Sequence, residues 1–464
     1  LLPALLHLCL ILPMLAWGGP VRVLVVASQT HLLPAAAETF RAVHGNDVAE
    51  FTFTTTAPDA GTLAQADVIQ AWFVPAAVLR QMAPGVQRAQ SRGALVSAAP
   101  ADVAEAAWRL HTDAALNAAI QPYWDAGGAD NLAAALAAVV AAHQRTAGVT
   151  PIAVPPVKPA PAAGIYHPRA PQPFASLDAY LRWYRSTGRV RDEAPLVGIS
   201  FYATNYRQRD LAHIDALVDA LERQGIGAVP AFGWPLSSLD ALLTQDGTTP
   251  LRALLALNLT IPRAEDKDWL ARHGLHAINL MATRDSAAAW HADVRGIAGE
   301  RLPLLLGAPE RSGATEPVLF ATQEDHDGAK ASAAVPERVD AVVARVRRWI
   351  ALQDKPAARK HVAVLYYNNP PGRGNIGASY LATLPTLAQI LQRLQAAGYD
   401  TGRDMPDTAT LTALLEANGR NVETWSPGEL DRMVRAGHVK LVPLTQYRRW
   451  FDTLPATFRD AVVR

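Results

Sequence analysis

Prolines at positions 151, 155, 156, 159, 161, 168, 171 and 173 punctuate one short stretch of this chain. Proline fixes φ and removes a backbone donor, so neither a regular helix nor a sheet runs through such a stretch. It reads as a semi-rigid connector and as the clearest domain boundary in the sequence. The reading divides the chain into a leader at 1–18, an α/β domain at 19–149, a proline-rich linker at 150–175, a second α/β domain at 176–334 and a third region at 335–464. A length of 464 residues suits two to four domains at roughly 100–200 residues each. Half the residues are hydrophobic and 18% are charged, which suits large buried cores and excludes a disordered chain.

Strand-like runs alternate with helical ones on both sides of the prolines. Val21–Ala27, Val48–Thr54 and Val68–Val74 read as strands, and Asn131–His143 as an alanine-rich helix. Beyond the prolines, Leu196–Phe201 is a continuous apolar run of the kind buried on both faces of a parallel sheet. Leu211, Ile214, Leu217, Val218 and Leu221 then form one helical stripe, Gly225 ends it, and Ile226–Phe232 returns as a strand. Such βαβ units imply an α/β, multi-domain fold with parallel sheets and helices on both faces. A helical tail leads toward a C-terminal region expected beyond Arg464. Tyr202, Asn205 and Tyr206 fall just past the first strand of the second domain, where open α/β sheets hold ligands. The alternative there is an aromatic surface loop.

The third region opens with a helix from Val335, then an expected strand His361–Tyr367, then a helix to Ala397 stopped by Gly398. Ser426, Pro427 and Glu429 suggest a capping box for a later helix.

Leu1–Ala16 carries no formally charged residue, and Ala16-Trp17-Gly18 resembles a small-x-small cleavage site. The segment is expected to be a secretory leader, so the chain is read as exported or periplasmic, and otherwise as cytoplasmic. It is short for a membrane span, which needs about 20 apolar residues. Leu6-His7-Leu8-Cys9 is a poor lipobox. Cys9 is the single cysteine, which excludes a disulfide scaffold and any multi-cysteine metal centre. Lys plus Arg total 43 against 42 Asp plus Glu. With no basic surplus, broad nucleic-acid binding is not expected.

The stretch Asn368–Tyr380 holds the most chemistry. Gly372, Gly374 and Gly377 form G-x-G-x-x-G after an apolar run, with Asp400 downstream, which read mechanically is a dinucleotide fingerprint of an NAD-dependent oxidoreductase. Pro370 and Pro371 force an extended entry, and Pro385 falls inside the helix that should face the pyrophosphate. A different reading fits better. Asn368, Asn369, Arg373, Asn375 and Tyr380 sit on a glycine-loosened loop. Arg373 offers a planar fork for carboxylates and the asparagines both donate and accept hydrogen bonds. Such a loop suits a large ligand fringed with carboxylates or amides.

Long motifs carry a family resemblance. HVAVLYYNNPPGRGNIGASYLATLPTLAQILQRLQAAGY resembles a signature of the large (CobN-type) subunit of aerobic cobaltochelatase and of the homologous H-type magnesium chelatase protein. PERVDAVVARVRRWIALQDKPAARK is similar to the approach to it. LPLLLGAPERSGATEPVLFA, with Glu310, Gly313, Glu316 and Pro317, is similar to another family block. PLVGISFY through LVDALERQGIGAVPAF resembles a third. The similarity covers residues 195–464 well and the first domain weakly, and it makes 335–464 the expected start of the chelatase core. It implies a tetrapyrrole-binding subunit of an ATP-dependent metal chelatase, inserting Co²⁺ into a corrin precursor in cobalamin biosynthesis, or Mg²⁺, with AAA+ partners hydrolysing ATP. The sequence holds no G-x-x-x-x-G-K-[ST], as expected of a subunit that leaves ATP to its partners. Catalytic groups are expected beyond Arg464. An exported relative that binds or dechelates tetrapyrroles is the alternative.

Metal insertion requires a base for the pyrrole protons and a weak N/O site to deliver the ion. Glu324-Asp325-His326-Asp327 is the densest group of ligand types, with Asp325 and His326 the candidates. A solvated acidic turn is the competing reading. His273 and His276 would share a face only on a helix, which Gly274 opposes. Trp183 and Tyr184 sit in a helical pattern where packing explains them.

Overall fold

The computed structural model describes residues 19–28, 31–297, 299–326, 329–366, 376–378, 380–418, 427–437 and 439–463. It divides into two compact units, residues 1–350 and 351–464.

The first unit holds two sheets. β1 (Val21–Ala27), β2 (Ala49–Thr54), β3 (Val68–Trp72) and β4 (Leu95–Ala99) form an all-parallel sheet in the order β2-β1-β3-β4. One face is covered by the helices Leu33–His44, Ala114–Ala126 and Gly128–Thr146, and the other by Ala76–Ser91 and Ala101–Trp108. The helix Gly128–Thr146 is almost wholly buried from Asn131 to Ala141. Its alanines let neighbouring backbones approach closely while still removing apolar area from water.

The proline stretch is stitched to this first sheet rather than loose. Residues 150–163 have no helix or strand. Asn131, buried, donates to the Gly127 and Lys158 carbonyls at 2.7 and 3.0 Å and accepts from the Lys158 N–H at 2.8 Å. The Tyr123 hydroxyl donates to the Pro155 carbonyl at 2.7 Å, and the Ile152 N–H to Gln144 at 2.8 Å. Backbone groups denied a ladder by proline are satisfied by side chains instead.

The second sheet is β5 (Gly164–Ile165), β6 (Leu196–Phe201), β7 (Gly227–Phe232), β8 (Leu251–Ala256), β9 (Ala277–Ala282), β10 (Ala314–His326) and β11 (Ala329–Ala334), in the order β11-β10-β9-β8-β6-β7-β5. The five central strands are parallel and only the edges β5 and β11 run antiparallel. Counted from β6, the central order is 2-1-3-4-5, a doubly wound arrangement. The helix Pro336–Asp354 buries Val339, Val342, Val343, Val346 and Ile350 against this sheet. The compact unit therefore ends after Ile350, inside this helix, rather than at Val335.

The second unit contributes helices Thr383–Ala396, Thr408–Asn418, Glu429–Arg435, Leu444–Phe451 and Ala456–Val463. Pro385 lies in the first turn of its helix, where a missing N–H costs nothing. Two sequence expectations are corrected. Residues 361–366 form no strand, and Val362, Val364 and Leu365 are exposed, because among the described residues of this unit no sheet offers them a ladder. The helix expected from Pro427 starts at Glu429 with Gly428 as its cap, in the left-handed region at φ +81°. Glu429 pairs with Arg432 at 2.7 Å, one turn on.

Candidate functional site

Each sheet of the first unit has a topological switch point, where connections leave in opposite directions and a crevice opens at the carboxyl ends of the strands. In the first sheet it lies between β1 and β3, ending at Ala27-Ser28 and Trp72-Phe73. In the second it lies between β6 and β8, ending at Tyr202 and Asn258. The carboxyl ends of both sheets border a cavity of about 290 Å³. Ser28, Trp72, Phe73 and Trp124 line it from the first sheet's side, and Thr204, Arg207, Gln208 and Arg284 from the second's. Pockets for small molecules run roughly 300–1,000 Å³, so this one suits a small group or one edge of a larger ligand.

The first wall is aromatic. Trp72 stacks on Trp124 with centroids 4.8 Å apart and planes 17° apart. Phe73 meets Trp72 edge-on at 5.9 Å, is 52% exposed, and holds φ +51°. A bulky side chain in the left-handed region is strained, and strained residues cluster where ligands are clamped.

The second wall carries unmet donors. Arg207 donates from Nη1 to the Asp125 carbonyl at 2.8 Å, tying the walls together, while its Nε is buried without a partner. On the first wall the Trp124 indole N–H is likewise buried and unpartnered. Among the described residues Arg284 makes no ion pair or hydrogen bond. Arg284 is exposed at the cavity, yet partial desolvation of its guanidinium by the surrounding cleft, and then the neighbouring Arg301 guanidinium, lowers its pKa from the usual value. His31 Nε2 lies 2.6 Å from the Gln208 carbonyl, a second tie across the cleft. A carbonyl only accepts, so Nε2 carries the proton. Gly127 allows the close approach, since a Cβ there would lie 2.8 Å from the Arg207 carbonyl oxygen.

The residues expected from the sequence distribute as follows. Tyr202 closes β6 and its hydroxyl meets Thr260 Oγ1 at 2.5 Å, at the second switch point, where burial raises its pKa. Asn205 is half-buried on the helix Ala203–Arg207, the helix that presents Thr204 and Arg207 to the cleft. Tyr206 instead packs, stacking on Phe232 at 4.2 Å. Tyr380 is fully exposed in the second unit, and a Cβ on Gly377 would meet nothing within 4 Å. Asn368, Asn369, Gly372, Arg373, Gly374 and Asn375 lie outside the described residues.

Asp325 and His326 end β10 at its hairpin with β11. Glu324 is committed there to the Ala287 N–H and the Thr322 hydroxyl, both at 2.8 Å. Asp327 lies outside the described residues, and among those described no three His, Cys, Asp or Glu side chains converge as metal ligands. His273 and His276 part company at Gly274. His273 lies 3.4 Å from Asp240 and His276 pairs with Glu316 at 3.1 Å. Tyr184 is buried and Trp183 packs beside it against the core.

Sequence reading missed Trp72, Phe73, Trp124, Arg207, Arg284 and His31. The Trp-Phe pair directly after the apolar run of β3 was the available signal. Arg207 and Arg284 follow β6 and β9 in the same way, on the carboxyl side of apolar runs.

A family model described as CobN/Magnesium Chelatase matches residues 121–464, well over half of the chain. The chain belongs to the CobN/magnesium chelatase family. The aerobic cobaltochelatase subunit CobN of a Sinorhizobium species is 26% identical over 357 residues, 73% of this chain and 27% of its own length. The H-type magnesium-chelatase protein of Rhodobacter capsulatus is 23% identical over 360 residues, 72% of this chain and 29% of its own. This member of the family thus spans less than a third of those relatives. The catalytic subunit of cobaltochelatase from Mycobacterium tuberculosis superposes with a TM-score of 0.50 at 19% identity, over 95% of this chain and 35% of that one, a likeness of fold. No described helix is long and apolar enough to cross a membrane.

Proposed function

We propose that this chain acts as a tetrapyrrole-binding large subunit of a metal chelatase, with cobalt insertion into a corrin precursor as the favoured reaction. Family membership supports the chelatase role. The observation that supports ring binding within this chain is the aromatic wall of the cleft: Trp72 stacked on Trp124, with a strained, exposed Phe73 beside them. A flat ligand is recognised by offset stacking, and with Trp72 and Trp124 each 5% exposed the Phe73 ring is the aromatic face open to it, backed by the two indoles. The cavity is small for a whole macrocycle, so an edge of the ring enters and the remainder stays outside. The divalent metal, Co²⁺ or Mg²⁺, is substrate rather than resident cofactor, and ATP is hydrolysed by AAA+ partner subunits.

Titration with free-base tetrapyrroles, with and without Co²⁺ or Mg²⁺, tests the reading through tryptophan fluorescence. Saturable quenching is expected, and it weakens in Phe73→Ala. A chain that remains folded yet shows no saturable quenching with any tetrapyrrole overturns it.

A further inference from the structure

The buried unmet hydrogen-bonding groups around the cleft are two donors and one acceptor, His31 Nδ1. Arg207 Nε and the Trp124 indole N–H are buried without partners. The Arg284 guanidinium, on the same cavity, bonds to nothing among the described residues. An unpaired buried donor costs about 1–3 kcal/mol, and native structures leave few of them without reason. Arg207 and Arg284 both line this cavity, so its second wall is cationic. The carboxylate on the lining is Asp125, which is exposed and meets Arg207 through its backbone carbonyl. The lining thus sets one carboxylate against two guanidinium groups.

We propose that the cleft is a carboxylate clamp, in which the Arg207 and Arg284 guanidinium groups, both on the cavity lining, receive a carboxylate arm of the bound ligand while the exposed Phe73 on the aromatic wall meets the apolar body behind it. The identity of that ligand as a ring rests on the function proposed above; the clamp itself does not. Guanidinium groups bind carboxylates through paired parallel N–H donors. A lysine supplies the charge without that geometry. Arg284 is the discriminating residue, because it holds no structural partner whose loss would unfold the chain.

The test compares uroporphyrin, a ring fringed with carboxylates, with tetrakis(N-methylpyridinium-4-yl)porphyrin, a ring of opposite charge, and with benzene-1,3,5-tricarboxylate, a small flat polycarboxylate. Each is titrated into the parent protein, Arg284→Gln and Arg284→Lys by tryptophan quenching. Circular dichroism confirms that each variant is folded. Expected are tight uroporphyrin binding that weakens with added salt, a rise in Kd of tenfold or more in Arg284→Gln, a smaller rise in Arg284→Lys, and weak binding of the cationic ring. Competition of the tricarboxylate with uroporphyrin supports the clamp. Binding of the tricarboxylate alone, lost in Arg284→Gln, keeps the clamp and overturns the ring reading. Equal affinity for both porphyrins, or an unchanged Kd in Arg284→Gln, overturns the clamp and keeps the ring reading.

Discussion

Replacing Gly127 by alanine tests whether the two sheets of the first unit are held at the separation that forms the cleft. Gly127 ends one helix and caps the next at φ +66° and ψ −172°, a region essentially confined to glycine. Forcing alanine there costs about 1–3 kcal/mol in backbone strain. The added Cβ would also sit 2.7 Å from Arg207 Cβ, 2.8 Å from its carbonyl oxygen and 2.9 Å from its carbonyl carbon. Two of those atoms are backbone, so no rotamer change relieves the contact, and overpacking of this kind costs about 1–3 kcal/mol more. Gly93 provides the control: its φ is +94°, but a Cβ there meets nothing within 4 Å. Gly93→Ala should lose only the strain, about 1–2 kcal/mol. Urea denaturation followed by tryptophan fluorescence compares the two midpoints, with the slopes checked for equality. Gly127→Ala is expected to lose about 1–3 kcal/mol more than Gly93→Ala and to bind uroporphyrin more weakly, since Arg207 must shift. Equal midpoints and unchanged affinity would refute the claim that Gly127 sets the spacing of the walls.

Phe73→Gly should leave stability within about 1 kcal/mol of the parent, because relief of the left-handed strain, about 1–2 kcal/mol, is offset by glycine's chain entropy, about 0.5–1 kcal/mol. A loss above 3 kcal/mol in denaturant melts would show that the ring is a core anchor instead. Asn131→Ala should free the proline stretch, with faster amide exchange at Lys158 and faster proteolysis within 150–163, since three hydrogen bonds are removed; an unchanged exchange rate would argue against the stitch. Stability should fall on acidification in two stages. His167 is fully buried and desolvation depresses its pKa, so the unfolded chain takes up the proton first and stability is lost as pH drops below about 6.5. Desolvation pushes Glu222 up, but hydrogen bonds from His167, Arg189 and Tyr184 outweigh it and hold the carboxylate low, so its contribution is present above about pH 4.5 and lost below it. His167→Gln should flatten the upper stage and shrink the lower one, since His167 is one of the groups that hold Glu222 low. NAD(H) should give no calorimetric signal, and saturable heat would revive the dinucleotide reading of Gly372, Gly374 and Gly377.

Much of the architecture was legible because both sheets are built from continuous apolar runs, Val21–Ala27 and Leu196–Phe201 among them, separated by striped helices. β11 was not, since Ala-Lys-Ala-Ser-Ala-Ala has little strand preference and pairs only because β10 presents a ladder beside it. His361–Tyr366 failed in the opposite direction: its side chains suit a strand, but a strand also needs a neighbour. The cleft was not legible: Tyr202 and Asn205 lie at the carboxyl edge of the second sheet but are not among the residues lining the cavity, the aromatic wall belongs to the first sheet, and no spacing rule reports that two carboxyl edges far apart in sequence border one cavity. Arg284 shows the limit most plainly, because a missing partner is visible only when the neighbours are in place.

The stitched prolines bear on how the cleft admits anything larger than itself. With Lys158 pinned to Asn131, Ala162 and Ala163 close against Gly233, and β5 beginning at Gly164, the tether that joins the sheets is short and held at both ends. A guest too wide for the resting gap must therefore be accommodated by rotation about that short leash, against the Arg207–Asp125 and His31–Gln208 latches on the rim. Entry and release are then set by how readily those two latches part.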